Sequence, residues 1–133
     1  MTQEEKELLS KDLCARLPYG VMFDYNNNEP LKVEGIVRNI VYYNGHNYQT
    51  EGDECYANIT KCKPYLRPMS SMTDEEKRYF ERTLDLNYAS AYNEEVNCST
   101  RMIDFFNKHH FDYRGLIKKG LALEAPEDMY KSK

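Results

Sequence analysis

Polar and apolar positions change rhythm along the chain, and each rhythm predicts a different element. Over residues 3–15, Leu8, Leu9, Leu13 and Ala15 fall at helical spacing, while Glu4, Glu5 and Glu7 crowd the first turns, where the macrodipole favours anions. Pro18 and Gly20 then stop the helix. From Gly20 to Leu66 the texture is that of strands. "YGVMFDY" has strand composition and "NNNEP" is a loop of turn residues. In "LKVEGIVRNIVYY", Leu31, Val33 and Gly35 share one face and Lys32, Glu34 and Ile36 the other. The phase shifts near Gly35, which predicts a bulge or strong bend. Asn44-Gly45 between aromatic flanks is a hairpin signal, "QTEGDE" is a loop, and "CYANITKCKPYL" returns as a strand with Tyr56, Ile59 and Leu66 as its apolar positions.

After Pro64 and Pro68 the period becomes helical. Thr73 followed by Glu76 is a capping box, in which each side chain bonds the other residue's backbone N–H. The helix it opens runs from Asp74 to about Tyr88 with Tyr79, Phe80, Leu84 and Tyr88 as its apolar stripe. "ASAYNEEVN" is a polar connection, and Ser99 caps a second helix that turns Met102, Ile103, Phe105 and Phe106 inward. The order predicts an α+β fold: an N-terminal helix, a small bent antiparallel sheet or an SH3-like or Sm-like partial barrel, then a C-terminal helical subregion. Residues 1–66 and 67–133 form these two subregions, and a chain of 133 residues packs them as a single compact domain.

The stretch "HHFDYRGLIKKGL", from His109, gathers two histidines, an aspartate, a tyrosine and an arginine. Helix-end rules account for most of it. With Asp112 as N-cap, Phe111 and Leu116 occupy the positions of a hydrophobic staple. Gly120 and Leu121 then complete a Schellman end, closing a two-turn helix from Tyr113 to Lys119. His109 and His110 fall at the end of the preceding helix, where an imidazole can meet a free carbonyl, and no motif ties a serine or cysteine nucleophile to them.

Composition narrows the functional classes. Twelve tyrosines and five phenylalanines with no tryptophan supply apolar area with polar tips, suited to thin cores and contact surfaces. A net charge of −4 argues against general nucleic-acid affinity. No apolar run is long enough for a membrane span, and no export signal opens the chain, so a cytoplasmic location is expected. There Cys14, Cys55, Cys62 and Cys98 are expected as reduced thiols, with no metal site because no CxxC pair exists. No phosphate-loop, dinucleotide, hydrolase-elbow, zincin or EF-hand pattern occurs. The expectation is a non-enzymatic accessory protein without cofactor, acting as an interaction module for an unknown protein partner.

Charge is uneven: residues 24–60 set Lys32 and Arg38 against six acids, whereas residues 101–119 set five bases against Asp104 and Asp112. Within "KCKPYLRP", alternation places Lys61, Lys63, Tyr65 and Arg67 on one face of a strand. Arg114 and Lys118 share a face of the C-terminal helix. Brought together, these six residues would attract an acidic peptide or phosphate. The alternative is single-stranded nucleic acid held by aromatics with Lys61, Lys63 and Arg67 on phosphates. An edge strand whose lysines discourage aggregation gives the same alternation.

"DLCARLPYGV" at 12–21, "KPYLRPMSSMTDEEK" at 63–77 and "FFNKHHFDYRGLIKKGLALEAPEDMY" at 105–130 together resemble a family of small uncharacterised proteins found in gut bacteria and in their phages and mobile elements. The match covers about 50 of the 133 residues. The resemblance implies a lineage and a shared fold, and it carries no activity or catalytic residues.

Overall fold

The computed structural model describes residues 1–26, 29–43, 56–89 and 95–130. Helix α1, Gln3–Arg16, opens with a capping box of its own: Glu5 N–H donates to Thr2 Oγ1 at 3.1 Å and Thr2 N–H to Glu5 Oε1 at 2.9 Å. A 3₁₀ turn, Leu17–Tyr19, follows it, and Gly20 leaves that turn at φ 71°, a conformation open to glycine because it lacks a Cβ.

Five strands then build most of a sheet: β1 Met22–Tyr25, β2 Leu31–Val37, β3 Ile40–Tyr43, β4 Tyr56–Asn58 and β5 Cys62–Leu66. The bulge lies where the phase shift predicts it, between Val33, which pairs with Tyr43, and Gly35, which pairs with Tyr42. The described hairpin turn is Arg38-Asn39 between β2 and β3, with Arg38 at φ 56°. "LKVEGIVRNIVYY" is therefore two strands, joined by a turn that lacks the glycine signal. The Asn44-Gly45 and "QTEGDE" expectations lie outside the described residues. "CYANITKCKPYL" also divides, because Ile59–Lys61 form a 3₁₀ turn in which Thr60 N–H donates to the Asn58 side chain and Ile59 N–H to Asn39 O. Ile59 and Leu66 are buried as expected, whereas Tyr56 stays 59% exposed.

Helix α2, Asp74–Ala89, begins at the predicted capping box, with Thr73 N–H on Glu76 Oε1 at 2.8 Å and Glu76 N–H on Thr73 Oγ1 at 3.2 Å. The side chains of Phe80, Leu84 and Tyr88 lie outside the described set. Helix α3, Glu95–Lys108, begins upstream of Ser99, which sits inside the helix and not at its cap. Phe105 and Phe106 turn inward and Met102 packs beside them, but Ile103 is 46% exposed.

After α3 the chain makes turns where the two-turn helix was expected. Gly115 takes φ 73°, and this left-handed residue interrupts any helix begun at Tyr113. One turn survives, Lys119 N–H to Gly115 O. Its Schellman end is as predicted: Gly120 has φ 76°, Gly120 N–H donates to Ile117 O and Leu121 N–H to Leu116 O. Asp112 still caps, but across the gap, accepting from Leu116 N–H at 2.8 Å and Ile117 N–H at 3.0 Å. Phe111 and Leu116 are buried in separate clusters, so the staple does not form.

The last described strand is β6, Leu123–Glu124, which pairs in parallel with β5. The fold is α+β with a six-stranded sheet in the order β4-β3-β2-β1-β5-β6. β4 and β6 do not pair, so the sheet is open and mixed, not a closed barrel and not purely antiparallel. The parallel pair arises because the chain crosses through α2 and α3 before returning beside β5. The larger core joins Leu9 and Leu13 of α1 to Phe23, Val33, Val41, Ile59 and Leu66 of the sheet, and it takes Leu116, Leu121 and Ala122 from the second subregion. The smaller holds Phe105, Phe106 and Phe111.

Candidate functional site

The last turns of α1 carry Asp12 and Arg16, four residues apart and therefore on one helix face, and both are fully buried. Burial of a charge demands partners. Arg16 donates to both Asp12 oxygens at 2.9 and 3.1 Å, and to the carbonyls of Phe106 and Phe111. Arg114 donates to Asp12 Oδ1 at 3.1 Å and to the Tyr113 hydroxyl, which in turn donates to Asn107. Asp12 thus holds two guanidinium groups, and both lie over the Tyr113 ring, at 5.3 and 4.8 Å.

At the end of β5 the backbone of Arg67 bridges to the turn after α3. Its N–H donates to His110 O at 2.7 Å, and Asp112 N–H donates to Arg67 O at 2.8 Å. Its guanidinium lies 4.3 Å over the Phe111 ring and grips both oxygens of Glu76 at 2.8 Å, with a third bond to Ser71 O. Partial burial works against the Glu76 charge, but the hydrogen bonds from Arg67 and from Thr73 N–H overcome it, bringing its pKa down to about 2. His109 Nδ1 lies 3.5 Å from the same carboxylate. Burial nonetheless lowers the His109 pKa, with Glu76 opposing.

His110 leaves α3 at φ 60° and is 3% exposed. Its Nε2 meets Tyr19 O at 3.0 Å, and its ring stacks on Tyr130 at 3.8 Å. Burial and the nearby Arg16 charge bring its pKa down to about 4. Tyr130 closes the assembly: its hydroxyl accepts from Met22 N–H and donates to Tyr65 O, each at 2.8 Å.

These contacts join residues 12–21, 63–77 and 105–130, and beside them lies an open cleft of about 1180 Å³. One wall comes from α2 and α3, with Tyr79 stacked on Phe105 at 4.8 Å and Arg101 and Lys108 at its edge. The opposite wall is the C-terminal strap, residues 123–130, with Glu124, Glu127 and Tyr130. Arg67, Glu76 and His109 line the space between them.

The six residues expected to form one cationic face are not assembled into one. Lys63 and Tyr65 alternate with the buried Cys62, Pro64 and Leu66 along β5, but Arg67 lies just past the strand and Lys61 belongs to the preceding 3₁₀ turn. Arg67 is held by Glu76 and Arg114 by Asp12. Without a helix from Tyr113, Arg114 and Lys118 lose their shared helix face, although Lys118 remains exposed. Nor is β5 an edge strand, since it lies between β1 and β6. Thr73, Glu76 and Gly120 keep their predicted structural tasks, and Asp112 keeps its task on shifted partners.

Sequence reasoning missed Asp12, Arg16, Tyr130 and the cleft-lining Arg101 and Lys108. The spacing of Asp12 and Arg16 was a visible ion-pair signal, but that signal does not distinguish a buried pair from a solvated one. Cys14 and Cys62 are free thiols, and burial pushes the Cys62 pKa up to about 12; the side chains of Cys55 and Cys98 lie outside the described set. Among the described residues no group of three metal-ligating side chains gathers, and no helix is long and apolar enough to cross a membrane. No family model, curated protein or solved structure matches the chain.

Proposed function

We propose that this protein is a non-enzymatic interaction module, working in the cytoplasm, that holds an extended segment of a partner protein in the cleft between the α2/α3 face and the C-terminal strap. The observation that carries the reading is the cleft itself. At about 1180 Å³ it exceeds the usual span of small-molecule pockets, roughly 300–1,000 Å³, and suits a peptide. Its aromatic lining of Tyr19, Tyr79, Phe105 and Tyr130 matches the residue types enriched at interface cores. Its lining is charged and mixed: α3 carries Arg101 and Lys108 with Asp104 between them, α2 carries Glu75 and Glu76, and the strap carries Glu124 and Glu127. A segment whose acidic groups meet Arg101 and Lys108 and whose basic groups meet Glu75, Glu124 and Glu127 complements this lining. The nucleic-acid alternative needs Lys61, Lys63 and Arg67, and with Arg67 engaged by Glu76 it is the weaker proposal. The resemblance to gut-bacterial and phage proteins remains a proposed lineage.

A photo-crosslinking residue placed at Tyr79, with a second at Val37 on the sheet as control, tests the reading in cells. Adducts through position 79 are expected to map to one short segment of one protein. They should disappear when Arg101 and Lys108 are reversed to glutamate in a chain whose circular dichroism is unchanged. Equal adducts from both positions, or adducts indifferent to the reversal, move the interface elsewhere.

A further inference from the structure

Among the described residues, His110 Nδ1 is the buried side-chain polar atom left without a hydrogen-bond partner. Such atoms are costly and call for a physical account. The other ring nitrogen faces the Tyr19 carbonyl, which only accepts, so Nε2 carries the proton and Nδ1 is a bare lone pair. Protonating Nδ1 would place an N–H where no acceptor stands. It would also put a cation among positive groups: Arg16 from α1, Arg67 from the end of β5, and His109 beside it whenever that ring is charged. The Tyr19 carbonyl alone favours the charged ring.

The other face of the imidazole is the Tyr130 ring, stacked at 3.8 Å. Through its hydroxyl Tyr130 fastens the end of the strap to Met22 of β1 and Tyr65 of β5, and Ala125 N–H adds a bond to Leu66 O at 2.7 Å.

We propose that His110 and Tyr130 form an acid-sensitive latch: the neutral imidazole holds the C-terminal strap against the sheet, and protonation at Nδ1 releases it. The closed latch titrates at about 4 because burial and Arg16 oppose the charge. With the strap open and the ring in water, the ordinary value of about 6.5 returns. The opening equilibrium therefore rises about tenfold for each pH unit lost between those values, roughly 300-fold in total. The strap is also a wall of the cleft, so acid would release a bound segment; that consequence, unlike the latch, rests on the proposed docking function.

Hydrogen exchange of the full chain tests the latch without any partner. Protection of the Ala125 and Met22 amides, corrected for the intrinsic pH dependence of exchange, is measured from pH 7 to pH 4, with the α1 amides as internal standard. The expected result over this range is loss of roughly 100-fold protection at Ala125 and Met22, since the closed ring is half protonated at pH 4, while α1 keeps its own. His110→Asn, which tolerates the left-handed backbone and does not titrate, is expected to remove the pH dependence. An unchanged dependence in that variant, or joint loss of protection by α1 and the strap, overturns the latch. If the variant does not fold, the ring resonances of His110 in the natural chain decide: a midpoint near 4 supports the latch, and one near 6.5 overturns it.

Discussion

Replacing Glu76 with glutamine keeps the length and shape of the side chain and removes its charge. Glutamine serves at the third position of a capping box, so the bond from Thr73 N–H survives, and the substitution isolates the ion pair with Arg67. The structure sets the magnitude. A carboxylate brought from 4.5 down to about 2 carries a differential of about 3 kcal/mol in favour of its ionised form. The two side chains are 20% and 13% exposed, so solvent screens part of this, and a cost of about 2–3 kcal/mol at pH 7 is expected. The sign follows from the direction of the shift. A depressed carboxylate stabilises the fold above its unfolded value, and that stability is lost as pH falls from about 4.5 toward 2. The gap between natural chain and variant should therefore be constant from pH 7 to about 5 and shrink to about half by pH 3. Urea denaturation at each pH measures it, and pairing the variant with Arg67→Met in a double-mutant cycle apportions the coupling. A gap that stays flat down to pH 3, or one below about 0.5 kcal/mol at neutral pH, would refute the ion pair as the source.

Asp12→Ala strands the fully buried Arg16 and leaves Arg114 without its anion, so a loss of about 3–5 kcal/mol is expected; chemical denaturation showing less than about 1 kcal/mol would mean the pair is not buried in solution. At Gly120, φ is 76° and no atom stands within 4 Å of an added Cβ, so the backbone alone sets the cost of a side chain. Gly120→Val should lose about 1–2 kcal/mol and Gly120→Asn clearly less, and equal thermal stabilities of the two variants would contradict the left-handed assignment.

What could be seen in the chain was local. The capping box at Thr73 and Glu76 and the Schellman end at Gly120 close with hydrogen bonds a few residues apart, and the bulge at Gly35 lies within one hairpin, where the phase of the apolar positions marks it. Helix α1 was visible for the same reason, its leucines repeating at 3.6-residue spacing beside acids in the first turn. The α+β class followed from this order of rhythms.

Where local signals were mute or competed, the reading failed. Nothing near Arg38-Asn39 marks a hairpin turn, and nothing in "CYANITKCK" announces the break at Ile59–Lys61. At Tyr113–Lys119 capping residues stand at both ends, yet Gly115 takes the left-handed region, which costs glycine little because it has no Cβ. The surrounding contacts, with Arg114 drawn to Asp12 and Leu116 into the large core, accompany that choice.

The candidate site lay almost wholly beyond the sequence. Lys63 and Tyr65 alternate with buried neighbours along β5, but alternation cannot say that Glu76 will take the Arg67 guanidinium or that Asp12 will take Arg114. Those pairings, the Arg16 bonds to Phe106 and Phe111, and the stack of His110 on Tyr130 join segments distant in sequence. The sequence by itself determined helix ends, turn chemistry and the class of fold, because these depend on bonds that the chain makes with its near neighbours. Only the tertiary structure decided which charges are spent inside, where the cleft opens and which imidazole is buried, because each depends on groups that meet after the sheet and helices have packed.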